Sequence, residues 1–466
     1  MRLFLAMCLL LAPLAAQPAE RPNIILMMAD DLGWGDVGFN GNTVIRTPHL
    51  DAMAEAGLRF TRFYAAAPVC SPTRGAALTG RHPYRYGIWF ANEGHLKPEE
   101  LTLAELLRER GYATGHFGKW HVGTLSKTVK DANRGGPGGA GHFAPPWLNG
   151  FDECFSTESK VPTYDPMLKP KAGAPQIGWD YIPDDSLAEP YGTYYWNSGG
   201  EIVRENLRGD DSRVIMDRAV PFIERAAKAK QPFFAVIWFH TPHLPVVAGP
   251  EHIRHYAQYP SYERNYYGCI TAMDEQVGRL RAKLRELGVA SNTMLWFSSD
   301  NGPEGQAGQA PGSAGPFRGR KRDLYEGGVR VPGLLEWPAR VKPGTATDVA
   351  AVTSDYLPTI LDLLGVAPPD SRPIDGTSLM PLIAGRMTQR GRPIGFESNG
   401  RLALTADRYK LIRHGEEAGW ELFDLIADPA EARNIAAEQP DVVARMKKLI
   451  EEWRASCKNS NAGHDY

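Results

Sequence analysis

Short apolar runs alternate along the chain with longer stretches in which apolar residues recur every three or four positions. The runs predict strands at 23–29, 112–118, 232–239 and 293–299. The longer spacing predicts amphipathic helices, of which the clearest spans 263–287. Strands that alternate with helices in this way predict an α/β fold, built around a large and mostly parallel sheet flanked by helices.

One further helix is marked by signals at both of its ends, in the segment TPHLDAMAEAG. Thr47 is a candidate N-cap, Pro48 suits the first helical position, and Gly57 is a stop signal. The sequence therefore predicts a helix bounded by Thr47 and Gly57.

The periodic pattern is interrupted twice. Between 123 and 210 the chain is rich in Gly and Pro, which predicts an irregular insertion in a domain spanning 20–385. After 385, short alternating strands and a helix at 441–455 predict a small C-terminal α+β subdomain, 386–466, with an antiparallel sheet. The insertion also contains four aromatic residues that could pack against sugar rings or simply fill a loop: Trp179, Tyr194, Tyr195 and Trp196.

The first residues have the layout of a secretory signal peptide. An early Arg is followed by an apolar run and then by small residues, which predicts a leader at 1–19. No later run approaches the roughly 20 apolar residues of a membrane-spanning helix, so no membrane insertion is expected. The sequence predicts a periplasmic or secreted protein.

Charge and cysteine content narrow the class of protein. The net charge is −2 and no segment is dominated by Lys or Arg, so we expect no nucleic-acid partner. Beyond the leader, only Cys70, Cys154, Cys269 and Cys457 are present, which allows at most two disulfides and leaves their pairing open. Stability is therefore expected to come from a buried core.

Acidic and amide side chains follow two of the predicted strands. Asp30 and Asp31 follow 23–29, and Asp300 and Asn301 follow 293–299. Such pairs can be ordinary turn residues. Ligands, however, bind at the carboxyl ends of parallel strands, where these oxygens would repel one another without a hard cation. Oxygen-only donors indicate calcium, with magnesium as the second choice.

The segment CSPTRGAALTG predicts a helix with Cys70 at its N-terminus, where backbone N–H groups attract anions. The spacing CxPxR, formed by Cys70, Pro72 and Arg74, resembles the recognition motif of the formylglycine-dependent sulfatases. The blocks ADDLGWGD, GKWHVG, TPHLP, SSDNG and KRDLYEGGVRVP also match that family, and they occur in its order. The resemblance spans about 21–455 and is greatest to bacterial enzymes of the arylsulfatase and N-acetylgalactosamine-6-sulfatase branch.

This resemblance implies an alkaline-phosphatase-like sandwich fold and a sulfatase acting on sulfated saccharides of galactose or N-acetylgalactosamine type. It also implies that a formylglycine-generating maturation enzyme oxidises Cys70. The implied ligands of the calcium ion are Asp30, Asp31, Cys70 after its oxidation, Asp300 and Asn301. The implied catalytic residues are Cys70, Arg74, Lys119, His121, His243 and Lys321, with His240 as a less secure contact to substrate.

The resemblance also suggests a role for each group. A hydrated formylglycine has two hydroxyls, so that one can attack sulfur while Asp300 takes its proton and the other remains to expel sulfate. A protonated His243 would donate a proton to the departing alcohol, with Lys321 as the competing donor, and His121 would act as the base in the second step.

Two other functions are compatible with the same residues. Relatives in the superfamily hydrolyse phosphate diesters or phosphonate monoesters at a similar metal site, so this chain could be such an enzyme. It could also be a glycan-binding homologue that has lost catalysis. The residues do not indicate which sugar or which sulfate position is involved.

Overall fold

Residues 21–368 and 370–466 are described by the structure, a computed structural model. The leader predicted at 1–19 lies outside these residues. The strands are β1 Asn23–Ala29, β2 Leu58–Phe60, β3 Phe63–Tyr64, β4 Ala113–Lys119, β5 Glu153–Thr157, β6 Leu168–Pro170, β7 Ala188–Pro190, β8 Trp196–Asn197, β9 Phe233–Trp238, β10 Thr293–Ser299, β11 Arg330–Val331, β12 Gly333–Glu336, β13 Thr345–Thr347, β14 Ala351–Val352, β15 Ile394–Ser398, β16 Arg401–Thr405, β17 Tyr409–Arg413 and β18 Trp420–Asp424. The helices are α1 Pro48–Ala56, α2 Cys70–Thr79, α3 Leu103–Arg108, α4 Asp211–Lys228, α5 Pro250–Ile253, α6 Ser261–Glu286, α7 Glu326–Val329, α8 Tyr356–Leu363, α9 Met380–Ile383 and α10 Pro440–Asn461.

A nine-stranded sheet forms the centre of the molecule, in the order β13-β2-β12-β10-β1-β9-β4-β5-β8. Its five central strands, from β10 to β5, are all parallel, and β12 and β8 flank them in the antiparallel sense. The predicted α/β class with a mostly parallel sheet is confirmed.

Strand β1 shows why the apolar runs are continuous rather than alternating. Ile25 and Met27 pack on one face of the sheet, in the same core as residues of α1, α4 and α6. Ile24 and Leu26 pack on the other face, in the same core as residues of α2, α3 and α8. Because helices cover both faces, every position of a central strand is buried and favours an apolar residue.

The N-terminus of α1 differs from the prediction. Thr47 occupies the N-cap position, but its hydroxyl makes no capping hydrogen bond and instead accepts one from the backbone N–H of Gly38. The carboxylate of Asp274, on α6, accepts from the backbone N–H groups of His49 and Leu50 at 3.0 and 2.7 Å. A side chain from a neighbouring helix therefore satisfies the first turn of α1.

The amphipathic stretch predicted at 263–287 forms α6, and the last predicted helix, at 441–455, lies within the longer α10. Pro440 gives α10 a suitable first residue one position earlier than predicted. Within the described parts of the chain, no helix combines the length and the apolar character that crossing a membrane requires.

The stretch predicted to be an irregular insertion, 123–210, contains two strands of the central sheet, β5 and β8. Strand β5 pairs in parallel with β4, so the prediction was wrong for Glu153–Thr157. The rest of the stretch consists of loops, the two short strands β6 and β7, and short 3-10 helices. The carboxyl end of β5 therefore lies beside that of β4, at the edge of the sheet where Asp30 and Asp300 lie.

After 385, the chain forms a four-stranded antiparallel sheet in the order β15-β16-β17-β18. One face is covered by α10, with Leu404 and Leu411 packed in the same cluster as Met446. The opposite face shares a cluster with Tyr64 and Val329 of the larger part of the molecule. The predicted small antiparallel sheet is confirmed, whereas the boundary at 385 stays a prediction.

The four cysteines of the described chain are all buried free thiols. The described residues are therefore held together by their apolar cores without a disulfide, as the low cysteine content suggests.

Candidate active site

The site lies at the carboxyl ends of β1, β4 and β10. Ala29 of β1 and Ser299 of β10 are paired in register, so the residues that follow them are neighbours. The backbone N–H of Asp31 donates to Oδ1 of Asp300 at 3.1 Å, and Nδ2 of Asn301 donates to Oδ1 of Asp31 at 2.7 Å. The convergence of these two strand ends, predicted from the sequence, is confirmed.

Each carboxylate of the site has a different cation as its nearest charged partner. Asp30 Oδ2 lies 2.6 Å from Nζ of Lys119, the last residue of β4. Asp31 Oδ2 lies 2.8 Å from Nζ of Lys321. Asp300 Oδ2 lies 2.7 Å from Nη2 of Arg74, on the first turns of α2. Three buried carboxylates therefore face three buried cations, as isolated buried charges would be costly.

Two oxygens of this cluster lack a protein donor. Oδ1 of Asp30 and Oδ1 of Asn301 are buried, and neither has a hydrogen-bond partner among the described residues. Possible metal-ligating atoms of Asp30, Cys70 and Asp300 all lie within 4.8 Å of one another, as do those of Asp30, Asp31 and His243. Buried acceptors without donors are rare, so this oxygen-rich set fits a hard cation.

Burial and the surrounding charges give Asp30 and Asp300 different pKa values. Burial raises the pKa of Asp30, but Lys119, with His243, Arg74 and Lys321, outweighs this and holds the pKa well below its usual value. Burial and the neighbouring charge of Asp30 raise the pKa of Asp300 to about 7. Without a bound cation, Asp300 therefore has the higher proton affinity of the two carboxylates.

Cys70 is the first residue of α2, and it is only 2% exposed. Burial raises the pKa of its thiol, although Lys119 and Lys321 act in the opposite direction. The residue lines a cavity of about 400 Å³. The polar and charged side chains that line this cavity, here called the catalytic cavity, are Cys70, Asn92, His121, Asn133, Ser159, Lys160, Gln176, His243, Glu304, Lys321 and Arg322.

His121 presents an unoccupied nitrogen. Its Nε2 lies 2.8 Å from Oδ1 of Asn92, an acceptor that fixes the ring proton on Nε2. Its Nδ1 is buried without a partner among the described residues. Burial, together with the charges of Lys119 and Arg74, holds the pKa of His121 well below its usual value. The ring is neutral with Nδ1 as a free acceptor, which is the state that a general base requires.

Replacing Asn92 by glycine is expected to lower kcat by about 10- to 100-fold, because the ring of His121 loses the acceptor that fixes its tautomer. Glycine is the suitable replacement because Asn92 has φ of 66°, where alanine would add strain. Asn92→Asp keeps the acceptor and adds a negative charge. It should therefore restore most of kcat and move the acid limb of the pH–rate profile upward. A wild-type kcat for Asn92→Gly would show that Asn92 does not position His121.

His243 and Lys321 both face Asp31. Nδ1 of His243 donates to the carbonyl oxygen of Leu244 at 2.6 Å, and its Nε2 lies 3.7 Å from Asp31 Oδ2. Burial lowers the pKa of His243 to about 4. Burial also lowers the pKa of Lys321, but the charge of Asp31 outweighs it and raises that pKa above its usual value. Near neutral pH Lys321 is therefore protonated, whereas His243 is neutral.

His240 does not line the catalytic cavity. It is fully buried, with Nδ1 2.8 Å from Oδ2 of Asp211 and Nε2 2.7 Å from Oγ1 of Thr157. Both ring nitrogens are therefore occupied by protein groups, and the structure does not bring His240 to the place where a substrate would lie.

Comparison with known proteins identifies the family. The model of the family described as Sulfatase matches residues 22–366, and the model described as N-sulphoglucosamine sulphohydrolase, C-terminal, matches residues 315–456. The chain belongs to the sulfatase family. It is a sulfuric ester hydrolase.

Relatives and solved structures agree with this assignment. The chain is 33% identical over 447 residues to N-acetylgalactosamine-6-sulfatase of Sus scrofa, across 91% of this chain and 77% of the relative. The structure of Ps i-CgsB in complex with k-i-k-neocarrahexaose has a TM-score of 0.79 and 27% identity, covering 94% of this chain and 93% of that one. Phosphonate monoester hydrolase of Agrobacterium radiobacter has a TM-score of 0.66 at 19% identity, covering 94% and 96%, a likeness of fold alone.

Three charged residues of this sulfatase's cavity were not identified from the sequence: Lys160, Glu304 and Arg322. Glu304 Oε2 lies 3.2 Å from Nζ of Lys321, and the two oxygens of Glu304 accept from Arg322 at 2.6 and 2.9 Å. Lys321 therefore lies between Asp31 and Glu304. No motif marks Glu304, because its role depends on the loop that brings it back to Lys321.

The aromatic residues considered for sugar binding have different surroundings. Tyr195 is buried and donates to Asp211, and Trp196 is buried and donates from Nε1 to Asp131 at 2.7 Å. The sugar-packing interpretation is therefore wrong for these two, which stabilise the core of the sulfatase. Trp179 is half-buried and lines a second cavity that adjoins the catalytic one.

Proposed function

We propose that this sulfatase is exported and removes sulfate esters from saccharides of galactose or N-acetylgalactosamine type, using a formylglycine made from Cys70 and a bound calcium ion. The position of Cys70 carries the proposal. Its Sγ lies within 4.8 Å of a carboxylate oxygen of Asp30 and of Asp300. It also lines the same cavity as His121 and Lys321. A nucleophile precursor, a cation site and proton-transfer groups therefore meet at one place.

The side chains of the cavity supply binding and proton transfer. A formylglycine at position 70 supplies, when hydrated, one hydroxyl to attack sulfur and another to expel sulfate. Lys119 and Lys321 place positive charge beside the sulfuryl oxygens, where negative charge increases during transfer. Asp300 accepts the proton of the attacking hydroxyl, and the protonated Lys321 donates a proton to the oxygen of the departing alcohol. Nδ1 of His121 accepts the proton of the remaining hydroxyl when sulfate is expelled.

The donors for calcium are Asp30, Asp31, Asp300 and Asn301, together with an oxygen of the modified Cys70. The two buried oxygens without donors, on Asp30 and Asn301, support this set. Bound calcium supplies positive charge that neutralises the sulfate group and lowers the pKa of an oxygen in contact with it. The positive charges of Lys119, Lys321 and Arg74 already balance those of the three carboxylates. Bound calcium therefore gives the site a net positive charge, which favours an anionic substrate.

Removal of calcium is expected to lower both the Tm and the rate of sulfate release, because binding to the native state alone contributes about 2.7 kcal/mol at 100 times Kd. Adding Ca²⁺ after chelation should restore both, and Mg²⁺ should restore less. Asn301→Ala, which removes one of the oxygens without a donor, should raise the Kd for Ca²⁺ measured by calorimetry. An unchanged Tm and full activity after chelation would contradict the calcium proposal.

Two findings support a saccharide substrate. The relative from Sus scrofa is named for a sulfated amino sugar, and the structure of Ps i-CgsB contains an oligosaccharide. The catalytic cavity is lined mainly by polar and charged side chains, which suit a hydroxyl-rich substrate better than an apolar one. Export is supported by the leader pattern at 1–19.

The test is sulfate release from a defined panel after co-expression with a formylglycine-generating enzyme. The panel pairs 4-sulfated with 6-sulfated galactose and N-acetylgalactosamine, monomers with oligomers, and includes a phosphate diester. We expect one regioisomer of a sulfated sugar to be cleaved fastest. Cleavage of the phosphate diester alone would support a phosphodiesterase instead. Binding of sugars without any cleavage, in protein shown by mass spectrometry to contain formylglycine, would support a glycan-binding protein.

A further inference from the structure

A second cavity of about 300 Å³ adjoins the catalytic cavity. Four residues line both of them: Asn133, Ser159, Lys160 and Gln176. The far side of the second cavity includes Lys169 and Trp179, and none of its described lining residues is acidic. A ligand held in the catalytic cavity can therefore extend past Lys160 into a space lined by basic, amide and aromatic side chains.

Lys160 is held close to the catalytic side chains by the backbone. It lies three residues after the end of β5. The last residue of β5 and the residue after it accept hydrogen bonds from the segment that contains His121. Trp120 N–H donates to the carbonyl of Thr157 at 2.9 Å, and His121 N–H donates to that of Glu158 at 3.0 Å. The position of Lys160 relative to the site is thus set by the sheet and its immediate continuation.

Among the described residues, Lys160 has no counter-ion, in contrast to the other lysines that line the two cavities and to the fully buried Lys119 nearby. Lys119 and Lys321 pair with Asp30 and Asp31, and Lys169 lies 3.1 Å from Oε1 of Glu189. Within the part of the chain that the structure describes, Lys160 is half-buried and forms no ion pair or hydrogen bond through its ammonium group. Burial, followed by the charges of Lys119 and Lys321, lowers the pKa of Lys160. The protonated form of Lys160 is therefore destabilised, and a bound anion would stabilise it.

We propose that Lys160 binds a second anionic group of the saccharide, next to the sulfate ester that is cleaved, so that this sulfatase prefers substrates with at least two negative charges. The inference deepens the proposed function and rests on it. The second group is a sulfate or a carboxylate, since a single ammonium binds either as a point charge. Gln176 and Asn133 supply amide donors beside it, and Trp179 presents a ring for the adjoining sugar.

The test compares matched substrates in four proteins: wild type, Lys160→Met, Lys160→Arg and Lys171→Met. The substrates are a monosulfated sugar, the same sugar with a second sulfate, and the monosulfated sugar linked to a uronic acid. The quantity compared is kcat/KM for each doubly charged substrate divided by kcat/KM for the monosulfated one. Lys171, an exposed residue whose Nζ donates to the carbonyl of Ser186, is the control.

We expect Lys160→Met to lower this ratio by about tenfold, mainly through KM, with Lys160→Arg restoring most of it and Lys171→Met leaving it unchanged. If the ratio falls for the disulfated sugar, the second anion is a sulfate. If it falls for the uronate-linked sugar, the second anion is a carboxylate. An equal loss on all substrates would show that Lys160 contacts the scissile sulfate, and an unchanged ratio would show that it binds no second anion. Either result overturns the proposal.

A binding measurement separates this inference from the proposed function. Calorimetry of the same sugars with Cys70→Ala, alone and combined with Lys160→Met, needs no catalysis. If the wild-type enzyme releases no sulfate from any saccharide, the proposed function fails. Tighter binding of a doubly charged sugar that is lost in the double variant would still support the role of Lys160, and equal binding of all sugars would overturn it.

Discussion

Replacing Cys70 by alanine is expected to lower kcat/KM for sulfate esters by about four orders of magnitude or more, the scale of loss when a hydrolase loses its nucleophile. Alanine cannot be oxidised to an aldehyde, and no other described side chain that lines the catalytic cavity offers a thiol or its oxidised product. The measurement is kcat/KM on a sulfate ester after co-expression with the maturation enzyme. The mass of the peptide containing residue 70 should show the aldehyde in wild type only.

Two further variants make this result specific. Cys70→Ser keeps a hydroxyl, but after one transfer the enzyme would remain as a stable sulfate ester, so a single turnover at most is expected. Cys154→Ala removes a buried thiol that does not line the catalytic cavity, and should retain wild-type kcat. Sustained multiple turnover by Cys70→Ser, or by Cys70→Ala, would contradict the role assigned to this residue.

The largest effect on stability is expected from Lys410→Met. Lys410, on β17, is fully buried, and its Nζ lies 3.0 Å from Oε1 of Glu326 and 3.0 Å from Oε1 of Glu431. The change leaves two buried carboxylates without the cation between them, which typically costs about 3–5 kcal/mol. The free energy of unfolding, measured by urea denaturation, should fall by that amount.

The controls separate the effect of buried charge from that of losing any lysine. Lys448→Met, at an exposed position of α10, should change the free energy of unfolding by less than about 0.5 kcal/mol. Lys410→Met combined with Glu431→Gln should be more stable than Lys410→Met alone, because the uncompensated charge of Glu431 is gone, whereas Glu326 keeps its ion pair with Arg330. If Lys410→Met unfolds at the wild-type urea concentration, the cluster contributes no net stability.

The sequence was sufficient to predict those parts of the structure for which a local pattern could be combined with a general rule about folds. Apolar runs located β1 and β10, and the rule that parallel strands present their carboxyl ends at one edge was enough to bring Asp30 near Asp300. The stripe of α6 was similarly clear, since each apolar residue packs on the core at helical spacing.

What the sequence did not reveal depends on partners that are distant along the chain. Arg74 and Asp300 are 226 positions apart, and nothing in either segment indicates that they form an ion pair. Asn92 and Glu304 lie on loops, where side-chain position is set by packing rather than by periodicity. Strand β5 was missed because it is short, contains polar residues and lies among Gly- and Pro-rich loops.

The burial of α2 restricts when Cys70 can be modified. Every residue of α2 is buried, including Pro72 and Arg74, which complete the CxPxR motif. Because another protein could not bind this motif once the helix has packed, the proposed oxidation of Cys70 would have to precede folding. Under this proposal, formation of the active site would be an event in the biosynthesis of each molecule. Folded protein that has missed this step would stay inactive even when the maturation enzyme is added later.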